Sequence, residues 1–170
     1  MIDSATMPPR SAPAAVIDAL NGLLESELNS VFRFMGEGSP YLSRATVEVK
    51  RPLEEMVRTN QRHAGELSDL IESLGGYPVP RSIRPDEQYL AFLSLKFLLP
   101  KLVDEKMLIL QRYDNALRRI PDAPPEVLAL LHRHQEECRA QLETLKKAAE
   151  DVIAASRAES ARAAPRKRGG

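Results

Sequence analysis

The sequence predicts an all-α domain: a four-helix bundle with one long crossover between its second and third helices. Three observations predict it. Leu, Ala, Glu and Arg abound while glycine is scarce, 8 of 170 residues, a composition suited to helix. Four long segments repeat apolar side chains at alternating steps of three and four, the signature of amphipathic helices. Between the second and third of them, residues 76–86 carry three prolines and read as an extended linker. In a polyproline-like form it reaches roughly 34 Å, about the length of a 24-residue helix. Such a linker returns along the bundle and does not close a hairpin.

Residues 1–12 read as a disordered leader, and the bundle as residues 13–155. Ser11 and Pro13 supply helix-start chemistry, so the first helix is expected over Pro13–Met35, with a stripe of Ile17, Leu20, Leu24, Glu27, Val31 and Phe34. Glu27 occupies a position that a leucine would normally take. The second helix runs to the cap at Gly75-Gly76, with a stripe of Val49, Leu53, Met56, Asn60, His63, Leu67, Leu70 and Leu74. Pro52 lies inside this pattern and predicts a kink or a restart. The third helix, Asp86–Arg119, has a stripe of Leu95, Leu98, Leu102, Glu105, Ile109, Tyr113 and Ala116. A shift of one residue would turn Lys106 inward in place of Glu105. The fourth, Pro124–Ala155, has Val127, Leu131, His134, Cys138, Leu142, Leu145 and Val152 inward, with Glu137 at the margin. Residues 156–170, with Arg157, Arg162, Arg166, Lys167 and Arg168, read as a disordered basic tail.

With 24 basic and 24 acidic residues, no net charge steers the chain toward nucleic acid or membrane, and neither partner is expected. A single cysteine, Cys138, excludes an intrachain disulfide. Met1–Ala12 lacks the apolar region of a secretory signal. The most apolar run, Tyr89–Val103, contains Lys96 and Pro100 and falls short of the ~20 residues a membrane span needs. A soluble, cytoplasmic protein is expected.

Measured along the helices, Glu27, His63, Glu105 and Glu137 fall at one level, ~17–21 Å from the same end of the bundle. Buried polar groups need partners, at a cost of roughly 1–3 kcal/mol each without them. Their convergence therefore predicts a site. His134 and Glu137, three apart, share a face of the fourth helix, and Cys138 follows.

Glu27-Leu-Asn-Ser-Val-Phe-Arg-Phe34 resembles the helix of bacterioferritins and rubrerythrins that supplies their first carboxylate. Thr59-Asn-Gln-Arg-His63-Ala-Gly-Glu-Leu67, with Ile71-Glu-Ser-Leu-Gly-Gly-Tyr-Pro78 after it, resembles their second helix, where His63 matches the histidine of Glu-x-x-His. Gln135-Glu-Glu-Cys138 resembles the second Glu-x-x-His segment. The resemblance covers roughly residues 15–150 and implies a ferritin-like bundle. Asn60 stands where the family has a bridging glutamate, and Gln135 and Cys138 where it has Glu and His.

What the resemblance implies is an atypical metal site, mononuclear or incompletely dinuclear, drawn from Glu27, Asn60, His63, Glu105, His134, Glu137 and Cys138. Iron is the implied ion, with manganese or zinc as substitutes, and oxidase or hydroxylase chemistry is the implied activity. A homo-oligomer is the expected assembly. The alternative is a metal-free scaffold with a buried polar network. If Glu27 and Glu105 crowd together without metal, Glu27→Leu should leave the metal-free protein at least as stable.

Overall fold

The computed structural model describes residues 13–37, 47–79 and 94–163. These form five α-helices and no strand: α1 (Ala14–Leu28), α2 (Val31–Glu37), α3 (Val47–Ser73), α4 (Leu95–Arg119) and α5 (Pro125–Ala163). The leader 1–12, most of the proline-rich linker and residues 164–170 lie outside the described residues, as do the Phe34 and Leu95 side chains. No described helix is long and apolar enough to cross a membrane.

The first predicted helix is two. α1 stops at Asn29, and the Ser30 hydroxyl accepts from the Phe32 amide at 3.2 Å, capping a new helix start. The amide of Val31, left without an intrahelical partner at that start, donates to Glu105 Oε1 at 3.0 Å. α3 runs through Pro52 and ends on Gly75, whose φ of 77° is the left-handed cap expected there. Toward that end its buried face moves to Ile71, leaving Leu70 and Leu74 half-buried. α5 continues to Ala163 where the sequence reading ended the helix at Ala155. Ser156–Ala163 is rich in Ala, Arg and Glu and has no breaker, so nothing ends the helix at Ser156.

Side-chain pairs give the helix directions. Asn21 binds both Tyr77 O and Val79 N, and Asn60 reaches Glu27, so α1 and α3 are antiparallel. Arg112 meets Ser26 and Lys106 meets Phe32, so α4 is antiparallel to α1. α3 and α4 therefore run in the same direction and form no hairpin. α5 returns antiparallel to both, after a short turn at Ile120–Pro124, with Lys96 bonded to Ser156 and Tyr113 to His134.

The apolar core is in two parts. One holds Leu20, Leu24, Leu67, Ile71, Tyr113, Val127 and Leu131. The other holds Phe32, Leu53, Met56, Leu98, Leu102, Leu145 and Val152. Between them lies a buried polar layer of Glu27, Asn60, His63, Lys106 and His134.

Residues 156–163 bury little, and Ser156 accepts an exposed hydrogen bond from Lys96. Truncation after Ala155 is expected to change unfolding free energy by less than about 1 kcal/mol. A larger loss in urea denaturation would show that the end of α5 docks on the bundle.

Candidate functional site

Glu27, 1% exposed, is the centre of the layer. Its Oε2 accepts from Asn60 Nδ2 at 2.5 Å, and its backbone carbonyl accepts from the same nitrogen at 3.0 Å. Its Oε1 faces His63 Nδ1 at 3.2 Å and accepts from the Tyr113 hydroxyl at 2.9 Å. Burial pushes the Glu27 carboxyl upward, but the His63 hydrogen bond and the Lys106 charge outweigh it and hold the group below its ordinary value.

His63 bridges inside to outside. Its Nε2 lies 2.6 Å from Glu137 Oε2, which also accepts from Arg62 at 2.7 Å. His134 repeats the pattern in reverse: Nδ1 lies 3.0 Å from the Tyr113 hydroxyl and Nε2 lies 2.6 Å from Glu66 Oε2. Glu66 in turn pairs with Arg133 at 2.9 Å. Two His-x-x-Glu segments, 63–66 and 134–137, thus exchange partners across antiparallel helices. The two imidazoles stack, with centroids 3.8 Å apart and planes 17° from parallel.

Stacking bears on protonation. Burial and the adjacent His63 push His134 down to about 4, against the pull of Glu66, so this ring is neutral near pH 7. With its Nε2 donating to Glu66, its Nδ1 is free to accept. The single Tyr113 proton then has two acceptors in reach, Glu27 and His134. Burial and the Glu27 charge push the Tyr113 hydroxyl well above its ordinary value. Glu66 and Glu137 are raised by burial but are held low on balance by His134 and by His63, each with arginine help.

Of the predicted site residues, the structure brings Glu27, Asn60, His63, His134 and Glu137 into one network. Cys138 joins them: ligand atoms of Glu27, His63 and Cys138 lie within 4.8 Å of one another. Burial drives the Cys138 thiol up to about 12, with Glu27 adding to the shift and Lys106 opposing it. Glu105 lies apart from this network, half-buried and on the start of α2. Lys106 takes the inward position, 1% exposed, with its ammonium 4.3 Å from the centroid of the Phe32 ring. The rest of the predicted α4 stripe, Leu98, Leu102, Ile109, Tyr113 and Ala116, is buried as expected, and only at this level does Lys106 replace Glu105.

Sequence reasoning left Glu66 and the two arginines out of the site and treated Tyr113 as a core aromatic. Glu66 had a legible signal, since it follows His63 at the spacing by which Glu137 follows His134. Tyr113 had none, because a buried stripe tyrosine looks the same whether its hydroxyl meets solvent or a carboxylate. Compared with known proteins, the chain matches no family model, no curated protein and no solved structure.

Proposed function

We propose that this chain is a ferritin-like bundle, with α1 and α2 end to end as one of four rods, whose core binds a single metal ion. The observation that carries the reading is the buried convergence of Glu27, His63 and Cys138. Donors about 2.0–2.3 Å from one ion lie roughly 3.5 Å apart, so a small inward movement from 4.8 Å closes the site. His63 would ligate through Nδ1, the nitrogen facing Glu27, while Glu137 on Nε2 orients the ring, a carboxylate–histidine–metal arrangement. The family's dinuclear centre does not fit. Asn60 supplies donors to Glu27 where a bridging carboxylate belongs, and Lys106 brings a cation into the layer where the sequence placed Glu105.

Metal-free full-length protein is expected to take up one ion per chain, with a raised melting temperature. Co(II) at saturation should give the near-ultraviolet thiolate band, lost in Cys138→Ser. No uptake and no shift in melting temperature with Fe(II), Mn(II), Zn(II), Co(II) or Cu(I) would sink the reading. A second reading, a metal-free scaffold, draws on Lys106 itself: its ammonium already supplies positive charge to Glu27.

A further inference from the structure

We infer that Lys106 decides which ion the buried site accepts, making it a site for a soft monovalent ion, Cu(I), in preference to a divalent one. The inference rests on the reading of Glu27, His63 and Cys138 as a metal site. The charges of the layer can be apportioned. Both outer carboxylates are already paired, Glu137 with Arg62 at 2.7 Å and Glu66 with Arg133 at 2.9 Å. Inside remain Glu27, Cys138 and Lys106.

On loading, Cys138 binds as the thiolate and its proton leaves to solvent. His63 binds as a neutral ring, its other N–H directed to Glu137. Two anionic ligands and one ammonium leave a single negative charge. A monovalent ion brings the group to neutrality, whereas a divalent ion leaves one positive charge uncompensated. That surplus would sit between two apolar clusters, where unbalanced charge is costly.

Lys106 is held in place. Its side chain is 1% exposed, and its ammonium is held over the Phe32 face. It also acts electrostatically on two of the three ligands, Glu27 and Cys138. Of the three donors, the Cys138 thiolate selects a soft ion and the His63 imidazole accepts one, while the Glu27 carboxylate, a hard donor, enters chiefly as balancing charge.

The test is anaerobic titration of metal-free, full-length protein with Zn(II) and with Cu(I), each buffered by a competing chelator. The proteins are wild type, Lys106→Met, Lys106→Gln and the charge-preserving Lys106→Arg. Repulsion from one fixed charge acts twice as strongly on a divalent ion. Removing it should therefore tighten Zn(II) binding by ~10-fold or more in Lys106→Met and Lys106→Gln, with a smaller change for Cu(I). Lys106→Arg should keep the wild-type Zn(II) affinity, which separates charge from disturbed packing, and Lys106→Gln carries the test if the methionine variant misfolds. Equal Zn(II) affinity in all four proteins overturns the role of Lys106 and leaves the metal site standing. Failure of both ions to bind any of the four overturns this inference, and the metal reading falls with it when Fe(II), Mn(II) and Co(II) fail to bind as well.

Discussion

Replacing Glu27 with leucine is expected to lower the stability of the metal-free protein by about 3–5 kcal/mol, the largest effect of any single substitution in the layer, and to abolish metal uptake. Leucine leaves Asn60 Nδ2, His63 Nδ1 and the Lys106 charge without the carboxylate they share. Removing one partner of a buried charged network strands the others, which costs more than the packing gained. This reverses the expectation drawn from sequence, which had a second carboxylate, Glu105, crowding Glu27. With Lys106 in that place, Glu27 is a compensated anion. Urea denaturation with chelator present checks it, and a Glu27→Leu midpoint equal to wild type would show that the network contributes nothing net.

Acid should unfold the metal-free protein in a range where most surface carboxylates are still charged. His134 is held at about 4, against 6.5 for the free group. A depressed histidine favours the folded state fully above the unfolded value of 6.5. That contribution is lost as pH falls toward 4, because the unfolded chain takes up the proton first. The shift corresponds to roughly 3 kcal/mol. Glu27, Glu66 and Glu137, all held below 4.5, add further loss only below that value. The measurement is unfolding free energy from pH 7 to 4.5 for wild type and His134→Gln. The difference between them should shrink steadily as pH falls. A constant difference would mean that His134 takes a proton as readily folded as unfolded.

The fold was legible where periodicity was long and unbroken. α5 is the clearest case: every residue of its predicted stripe, from Val127 to Val152, is buried. α4 was ambiguous because Glu105 and Lys106 are adjacent and a period of 3.6 tolerates either phase over a few turns. The choice falls to tertiary context, since the start of α2 offers Glu105 an amide donor and the ring of Phe32 offers Lys106 an aromatic face. The break at Asn29-Ser30 was hidden for a similar reason. The apolar spacing continues across it from Leu24 to Val31, while cap chemistry at Ser30 acts only on the backbone. Of the polar network, Glu27, Asn60, His63, His134 and Glu137 could be read from spacing, whereas Glu105, expected at the same level, sits instead on the Val31 amide. The reciprocal exchange of His63 and His134 between Glu137 and Glu66 could not, because it depends on the stagger of α3 against α5.

The polar layer has a consequence for how the molecule comes apart. Oily contact holds each end of the bundle together, but among the described residues no continuous oily seam joins the ends. What joins them is a rivet of oriented side chains, sensitive to distance and proton in a way that apolar contact is not. The two ends are therefore expected to open as two cooperative units sharing one fastener. Amide exchange in α3 is the measurement that checks this: once the fastener is loosened, the helix around Leu53 should open separately from the helix around Ile71.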